Sequence, residues 1–129
     1  MTGVMQAPVV SIVIPTYNHA KFLRGALNSV IAQTFTRWEA IVVNNFSQDD
    51  TVSVIESYGD PRIRFVNFAN QGVIAASRNH GIAVTTAPYI AFLDSDDIWY
   101  PEKLAKCLRR LEQGFDLVCH AEKWVGPGD

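Results

Sequence analysis

Cysteine is scarce: Cys107 and Cys119 are the only two in 129 residues. Two thiols build neither a disulfide framework nor a zinc site, and such usage fits a reducing compartment. Charge of one sign is also missing, since 11 Lys and Arg stand against 13 Asp and Glu, a net of −2. With no Lys/Arg stripe to neutralise phosphates, nucleic acid is not an expected partner. Long apolar runs are absent as well. The longest are strand-sized, such as Val9 to Ile14, far below the ~20 residues of a membrane span. Met1 to Pro8 carries no basic region ahead of an apolar one, so no signal peptide is read there. The expected location is cytoplasmic, with attachment to the inner face of a membrane as its peripheral variant. No repeat or low-complexity linker breaks the chain. What is present is an ordinary globular balance, 48% hydrophobic and 19% charged. A chain of this length buries roughly two thirds of its surface. One domain is expected over residues 1–129, with 1–8 as a flexible N-terminus.

Strand and helix patterns alternate. Val9 to Ile14 is β-branched and almost continuously apolar, as in a strand buried on both faces, and is expected to stop at Pro15. Leu23, Leu27, Val30 and Ile31 recur at helical spacing between about Ala20 and Gln33, with Asn18 as the expected cap. Glu39 to Val43 reads as a second buried strand, and about Thr51 to Tyr58 as a short helix capped by Asp49 and Asp50. Arg62 to Asn67 alternates like a less buried strand, Val73 to Val84 reads as a helix, and Tyr89 to Leu93 as a fourth strand ending in Asp94. Pro101 suits the first turn of a helix with the stripe Leu104, Cys107, Leu108 and Leu111, and Phe115 to Cys119 reads as a fifth strand. Such a series implies an α/β fold, a mainly parallel sheet with helices on both faces. Ligands of these sheets bind beyond the carboxyl ends of the strands. That rule selects three polar loops: Pro15 to Asn18, Asn44 to Asp50, and Asp94 to Asp97.

The sharpest of these is Leu93-Asp94-Ser95-Asp96-Asp97, where three carboxylates repel one another. A hard cation, a helix N-terminus or open water must offset that repulsion. Oxygen donors without a neighbouring His or Cys favour magnesium, manganese or calcium over zinc. Solvated helix-capping residues are the plainer alternative. Pro15-Thr16-Tyr17-Asn18 stands where a dinucleotide-binding fold needs its glycine turn, and no phosphate-binding P-loop exists. A receiver domain would need acidic residues just after the first strand, and none is there. His19, His80 and His120 have no ligand or triad spacing and receive no chemistry. Ser47 has no base pattern beside it, which argues against a hydrolase. Trp99 and Tyr100 read as packing residues.

Four blocks, Ser11 to Asn18, Val43 to Thr51, Ala76 to Ile82 and Phe92 to Asp97, resemble in order and spacing the family 2 glycosyltransferases of the GT-A fold. The resemblance runs from about Val9 to Cys119. It implies inverting transfer of a sugar from a nucleotide-diphospho-sugar donor to a sugar, lipid-linked or other glycan acceptor, with manganese or magnesium as cofactor. It implies a nucleotide site of Pro15, Thr16, Tyr17, Asn45, Arg78 and Ser95. Asp96 is the implied metal ligand, with Asp94 as the second acidic member of the Asp-x-Asp motif. Arg78 would offset diphosphate charge, with an ion pair to Asp94 or Asp96 as its structural alternative.

Two departures stand out. The family usually has two aspartates and a glycine where this chain has Asn44, Asn45 and Phe46. An amide oxygen still accepts a hydrogen bond from a base N–H, without charge assistance. Inversion also needs a general base, and nothing around Glu122 or Asp129 matches the family's base motif. The catalytic carboxylate is therefore expected beyond Asp129, and the chain reads as a truncated N-terminal half. The expectation is a chain that binds nucleotide, transfers no sugar, and self-associates as a homodimer through surface around Phe115, Leu117 and Val118. A non-catalytic nucleotide-sugar binding or interaction module is the alternative.

Overall fold

The structure, a computed structural model, describes residues 7–114. It contains β1 (Val10–Thr16), α1 (Ala20–Ile31), β2 (Trp38–Asn44), α2 (Thr51–Glu56), β3 (Ile63–Asn67), α3 (Ile74–Ala83), β4 (Tyr89–Phe92) and α4 (Lys103–Glu112). The sheet has the order β3-β2-β1-β4, and every pairing is parallel. The expected fifth strand, and with it Phe115, Leu117, Val118, Glu122 and Asp129, lies outside the described residues.

Helices cover both faces, as the apolar pattern implies. Ile12 and Ile14 of β1 and Ala40 and Val42 of β2 pack against Leu23, Leu27 and Val30 of α1. Ile55 of α2 and Leu104 and Leu108 of α4 complete that core. Each such fully buried aliphatic side chain contributes about 1.5–3 kcal/mol. The opposite face is Val13, Ile41 and Val43, with Val66, Phe68 and Val84 around them. There α3 approaches through Gly81, whose position would place a Cβ 2.4 Å from Val13 Cγ1 and 3.1 Å from Val43 Cγ2. Glycine is thus what lets α3 lie so close to β1 and β2.

Several local expectations are corrected. β1 does not stop at Pro15 but runs to Thr16, with Pro15 in register with Val43. Leu93 N–H donates to Val13 O on the β4 side, and Asn45 N–H donates to Thr16 O on the β2 side. Alternation therefore turns the missing donor of Pro15 toward β4, which has already ended at Phe92. Asn18 does not cap α1. Its backbone is left-handed, at φ 51°, and the N-cap is His19, whose side chain makes no capping bond. α1 ends at Ile31, and Gln33 turns inward instead. Its Nε2 donates to Ser29 O and Tyr100 O, and its Oε1 accepts Leu104 N–H at 3.0 Å. Pro101 precedes α4 rather than opening it, the N-cap is Glu102, and Gln33 satisfies the buried first-turn amide of Leu104. Trp99 is buried, but Tyr100 is exposed and is not a packing residue.

Candidate functional site

The chain steps outward from β1 through β2 to β3, then crosses back to β4 on the other side of β1. The switch point between β1 and β4 is where open parallel sheets bind ligands. Two of the three polar loops flank it. Residues 17–19 leave β1, and residues 93–97 leave β4. His19 Nδ1 lies 2.8 Å from Ser95 Oγ, directly across the switch point.

Polar contacts continue from there around the carboxyl ends of the strands. Next to Ser95, Asp94 Oδ1 is 2.9 Å from Arg78 Nη2, the ion pair that the sequence offered as Arg78's structural alternative. Next to Arg78, Ser77 Oγ accepts a hydrogen bond from Asn70 Nδ2 at 2.8 Å. Asn70 and Asn45 bond reciprocally: Asn45 Nδ2 donates to Asn70 Oδ1 at 3.0 Å, and Asn70 N–H donates to Asn45 Oδ1 at 3.1 Å. Next to Asn45, Asn44 Oδ1 accepts from Ser47 N–H and Oγ–H, and Asn44 Nδ2 donates to Asn67. Ser47 Oγ accepts Asn18 N–H, and Asn18 Oδ1 accepts Gln48 N–H at 2.7 Å. Asn18 adjoins His19, so the circuit closes.

Asp49 braces the circuit from outside. Its Oδ2 accepts Ala20 N–H at 3.0 Å, and its Oδ1 accepts both Thr51 N–H and Thr51 Oγ1–H. One carboxylate thus serves the first turns of α1 and α2, where the helix dipoles favour negative charge. Partial desolvation opposes that charge, but the hydrogen bonds from Thr51 and Ala20 outweigh it and hold the carboxyl below the ordinary carboxylate range. The sequence reading gave Asp49 only the second helix. Asp50 is the N-cap of α2 but makes no side-chain capping bond.

The structure brings Arg78, Asp94 and Ser95 together, with Asp96 on the same turn, closed by Asp97 N–H donating to Asp94 O at 3.0 Å. Asp94 and Asp96 are exposed, whereas Ser95 between them is 3% exposed. Among the described residues, no three His, Cys, Asp or Glu side chains form a metal-binding group. Two exposed carboxylates fit a hard cation that takes its remaining oxygens from a ligand or from water. Tyr17, half exposed, stands at the end of β1. Thr16 is buried there with its Oγ1 unpaired, and Pro15 is buried inside β1. Asn45 is held by Asn70, so its amide cannot turn freely. Phe46, where the family usually has glycine, has φ 47° and exposes its ring to solvent.

Sequence reasoning missed Asn70, Ser77 and His19. Gln71 and Gly72 after Asn70 both adopt positive φ, 53° and 82°, and Asn70 Oδ1 accepts Gly72 N–H at 2.8 Å. The Asn-Gln-Gly turn was the available signal. A cleft of about 270 Å³ lined by Ile55, Gly59, Asp60, Ile63 and Phe65 adjoins the amino end of β3, away from these loops.

The chain is similar to a set of curated glycosyltransferases. It is 40% identical over 98 residues to an uncharacterized glycosyltransferase of Rickettsia typhi, covering 76% of this chain and 30% of that protein. It is 34% identical over 116 residues to the chondroitin synthase of Escherichia coli, covering 88% of this chain and 17% of that protein. The chain therefore spans less than a third of either relative. Among solved structures, S. aureus TarS 1-349 in complex with UDP-GlcNAc superposes with a TM-score of 0.76 at 28% identity, covering 81% of this chain and 31% of that one. A mannosyltransferase from Pyrobaculum calidifontis shares the fold, with a TM-score of 0.73 at 24% identity, over 82% of this chain and 33% of that one. These likenesses identify the parallel sheet as the Rossmann-like GT-A arrangement. Residues 11–126 match the model of the family described as Glycosyl transferase family 2, and the chain belongs to that family.

Proposed function

We infer that this chain carries the donor site of a metal-assisted, inverting glycosyltransferase that takes a nucleotide-diphospho-sugar. The observation that carries the reading is the meeting of Arg78 with Asp94 beside the switch point, on the turn that also bears Asp96. A cation and two carboxylates there match what a diphosphate needs: a guanidinium for its oxygens and acidic ligands for a divalent ion. The pair is half exposed, so exchanging Asp94 for phosphate costs Arg78 little, about 0–1 kcal/mol. Pro15, Thr16 and Tyr17 would line the nucleoside, through backbone groups of the loop and the half-exposed Tyr17 ring. Asn45 would face the base, and Ser95 would bring its backbone to the donor, since its hydroxyl is engaged by His19. Asp96 and Asp94 would hold manganese or magnesium, which when bound supplies positive charge against the leaving diphosphate.

The acceptor, a sugar or lipid-linked glycan, and the base that deprotonates it belong to parts of the enzyme outside the described residues. None of the described helices is long and apolar enough to cross a membrane. The free thiol of Cys107 fits a cytoplasmic setting. A binding module without transfer is the second reading. Its support is Asn44 and Asn45, whose amides are committed to Asn67, Ser47 and Asn70 where the family usually has acids.

Calorimetry with uridine diphosphate, in manganese and in chelator, tests the donor site. Manganese is expected to tighten binding, and Asp96→Asn to remove most of the gain. Equal affinity in both conditions would refute the metal assignment. Product detection with donor, manganese and varied acceptors separates the two readings.

A further inference from the structure

His19 holds neither the donor nor its cation, yet it bonds the turn that does. We propose that it is a positioning residue: its Nδ1 grips the Ser95 hydroxyl and thereby sets the turn that presents Asp94 and Asp96 to the diphosphate and its cation. This role rests on the donor-site reading above.

The bond joins residues 76 positions apart and crosses the switch point at 2.8 Å. It meets the turn at its one buried side chain, while the flanking carboxylates stay in solvent. Ser95 and Asp96 are the two central residues of the turn, so holding the Ser95 side chain inward fixes the backbone from which the exposed Asp94 and Asp96 project. Within the turn, Asp97 N–H donates to Asp94 O, and the neighbouring carboxylates of Asp94 and Asp96 repel each other. Arg78 holds Asp94 from the α3 side, and His19 holds Ser95 from the α1 side. The tether is itself rigid. The His19 carbonyl accepts Phe22 and Leu23 N–H, and its ring meets Phe22 edge-on at 5.8 Å. Its neighbours Asn18 and Ala20 are bonded to Ser47, Gln48 and Asp49. A hydroxyl rotates to donate or accept, so either imidazole tautomer keeps the bond.

The test uses the 129-residue chain with His19→Ala, His19→Asn, His19→Gln and Ser95→Ala. Asparagine places a nitrogen or oxygen near the Nδ1 position, while glutamine reaches toward Nε2. Amide hydrogen exchange reads the turn without any ligand. His19→Ala is expected to speed exchange of the Asp97 N–H, which closes the turn, by about tenfold, with α3 unchanged. Uridine diphosphate affinity is then measured in manganese and in chelator. His19→Ala and Ser95→Ala should each cut the manganese-dependent gain by about tenfold, within the range for residues that orient metal ligands. For His19→Ala, affinity in chelator should hold within about twofold, because the nucleoside loop keeps its Ser47, Gln48 and Asp49 bonds. Asparagine should restore the gain, glutamine should not, and the double alanine variant should be no worse than either single one. Four results would overturn the role: unchanged exchange in the turn, a full manganese gain in His19→Ala, rescue by glutamine equal to that by asparagine, or an equal fall in chelator. A wild-type chain with no manganese gain, alongside a turn loosened by His19→Ala, overturns the donor–cation reading instead.

Discussion

Replacing Gly81 by alanine sets two physical effects against each other. In an exposed helix the change is favourable by about 1 kcal/mol, because glycine gives up more backbone freedom. Here the added methyl would sit 2.4 Å from Val13 Cγ1, 3.2 Å from Val13 Cγ2 and 3.1 Å from Val43 Cγ2. Carbon atoms rest at about 3.5–4.0 Å, so α3 or the valines must give way by about 1 Å. Both valines are fully buried in the two central strands, and their branched side chains have few rotamers to retreat into. Such overpacking costs about 1–3 kcal/mol, and more where strands cannot shift. The expected net effect is a loss of about 0–2 kcal/mol after the propensity gain. A lift of α3 would also carry Ser77 and Arg78, one turn earlier, off Asn70 and Asp94, so nucleotide affinity should fall along with stability. Urea unfolding of Gly81→Ala, Val13→Ala and the double variant measures this. In the double variant the new methyl occupies space that Val13 vacates, so the two losses should sum to less than their total, by about 1 kcal/mol. A stabilised Gly81→Ala, or strictly additive losses, would refute the close approach of α3 to the sheet.

Phe46→Gly should gain up to about 1.5 kcal/mol: a left-handed penalty of ~1–2 is relieved, less ~0.5–1 for glycine's chain entropy. A loss on thermal unfolding would mean that the exposed Phe46 ring makes a stabilising contact. Burial resists charge on Glu39, but hydrogen bonds from Ser11 and Thr86, with Arg64 nearby, prevail and lower its pKa below the ordinary 4.5. A depressed carboxyl stabilises the fold above its unfolded value and loses that contribution as pH falls through the folded one. Glu39→Gln should therefore be less stable than wild type near neutral pH, and the gap should close on acidification below 4.5; a gap that does not change with pH would refute this. Asn45→Asp should sharpen preference for uridine or thymidine diphosphate in competition binding, by restoring a charged acceptor for the base N–H. It should also cost about 1 kcal/mol, because a carboxylate oxygen would face Asn70 Oδ1; an unchanged base preference would refute the role of Asn45.

Element types were legible wherever apolar spacing was strong. The unbroken apolar run from Val9 to Ile14 announced a strand, Leu23 and Leu27 a helix by their spacing, and the alternation of such segments implied the parallel sheet. Boundaries failed where a tertiary partner overrode a local rule. Pro15 belongs inside β1 because its pairing with β4 ends at Val13, two residues earlier. Asn18 left the cap to Asp49 because a left-handed backbone turns its side chain toward Gln48. The loops that form the site were visible as polar interruptions, and the pairing of Arg78 with Asp94 was among the stated alternatives. The pairs His19–Ser95 and Asn45–Asn70 were not legible, because 76 and 25 positions separate their members and neither pair follows any helical or strand period.

The closed circuit of polar contacts bears on how such a site can be altered. Each loop presents a side chain whose shape is already spoken for by a neighbour on a different loop. Transplanting the Asn44–Asp50 segment alone from a relative with acids there would set a new carboxylate against an unchanged Asn70. Grafting the Asp94–Asp97 turn without residue 19 would strand its serine. Variation here is therefore expected to travel in matched sets: 45 with 70, 78 with 94, and 19 with 95. Libraries built for new donor preference would then be most productive when these positions are randomised two at a time.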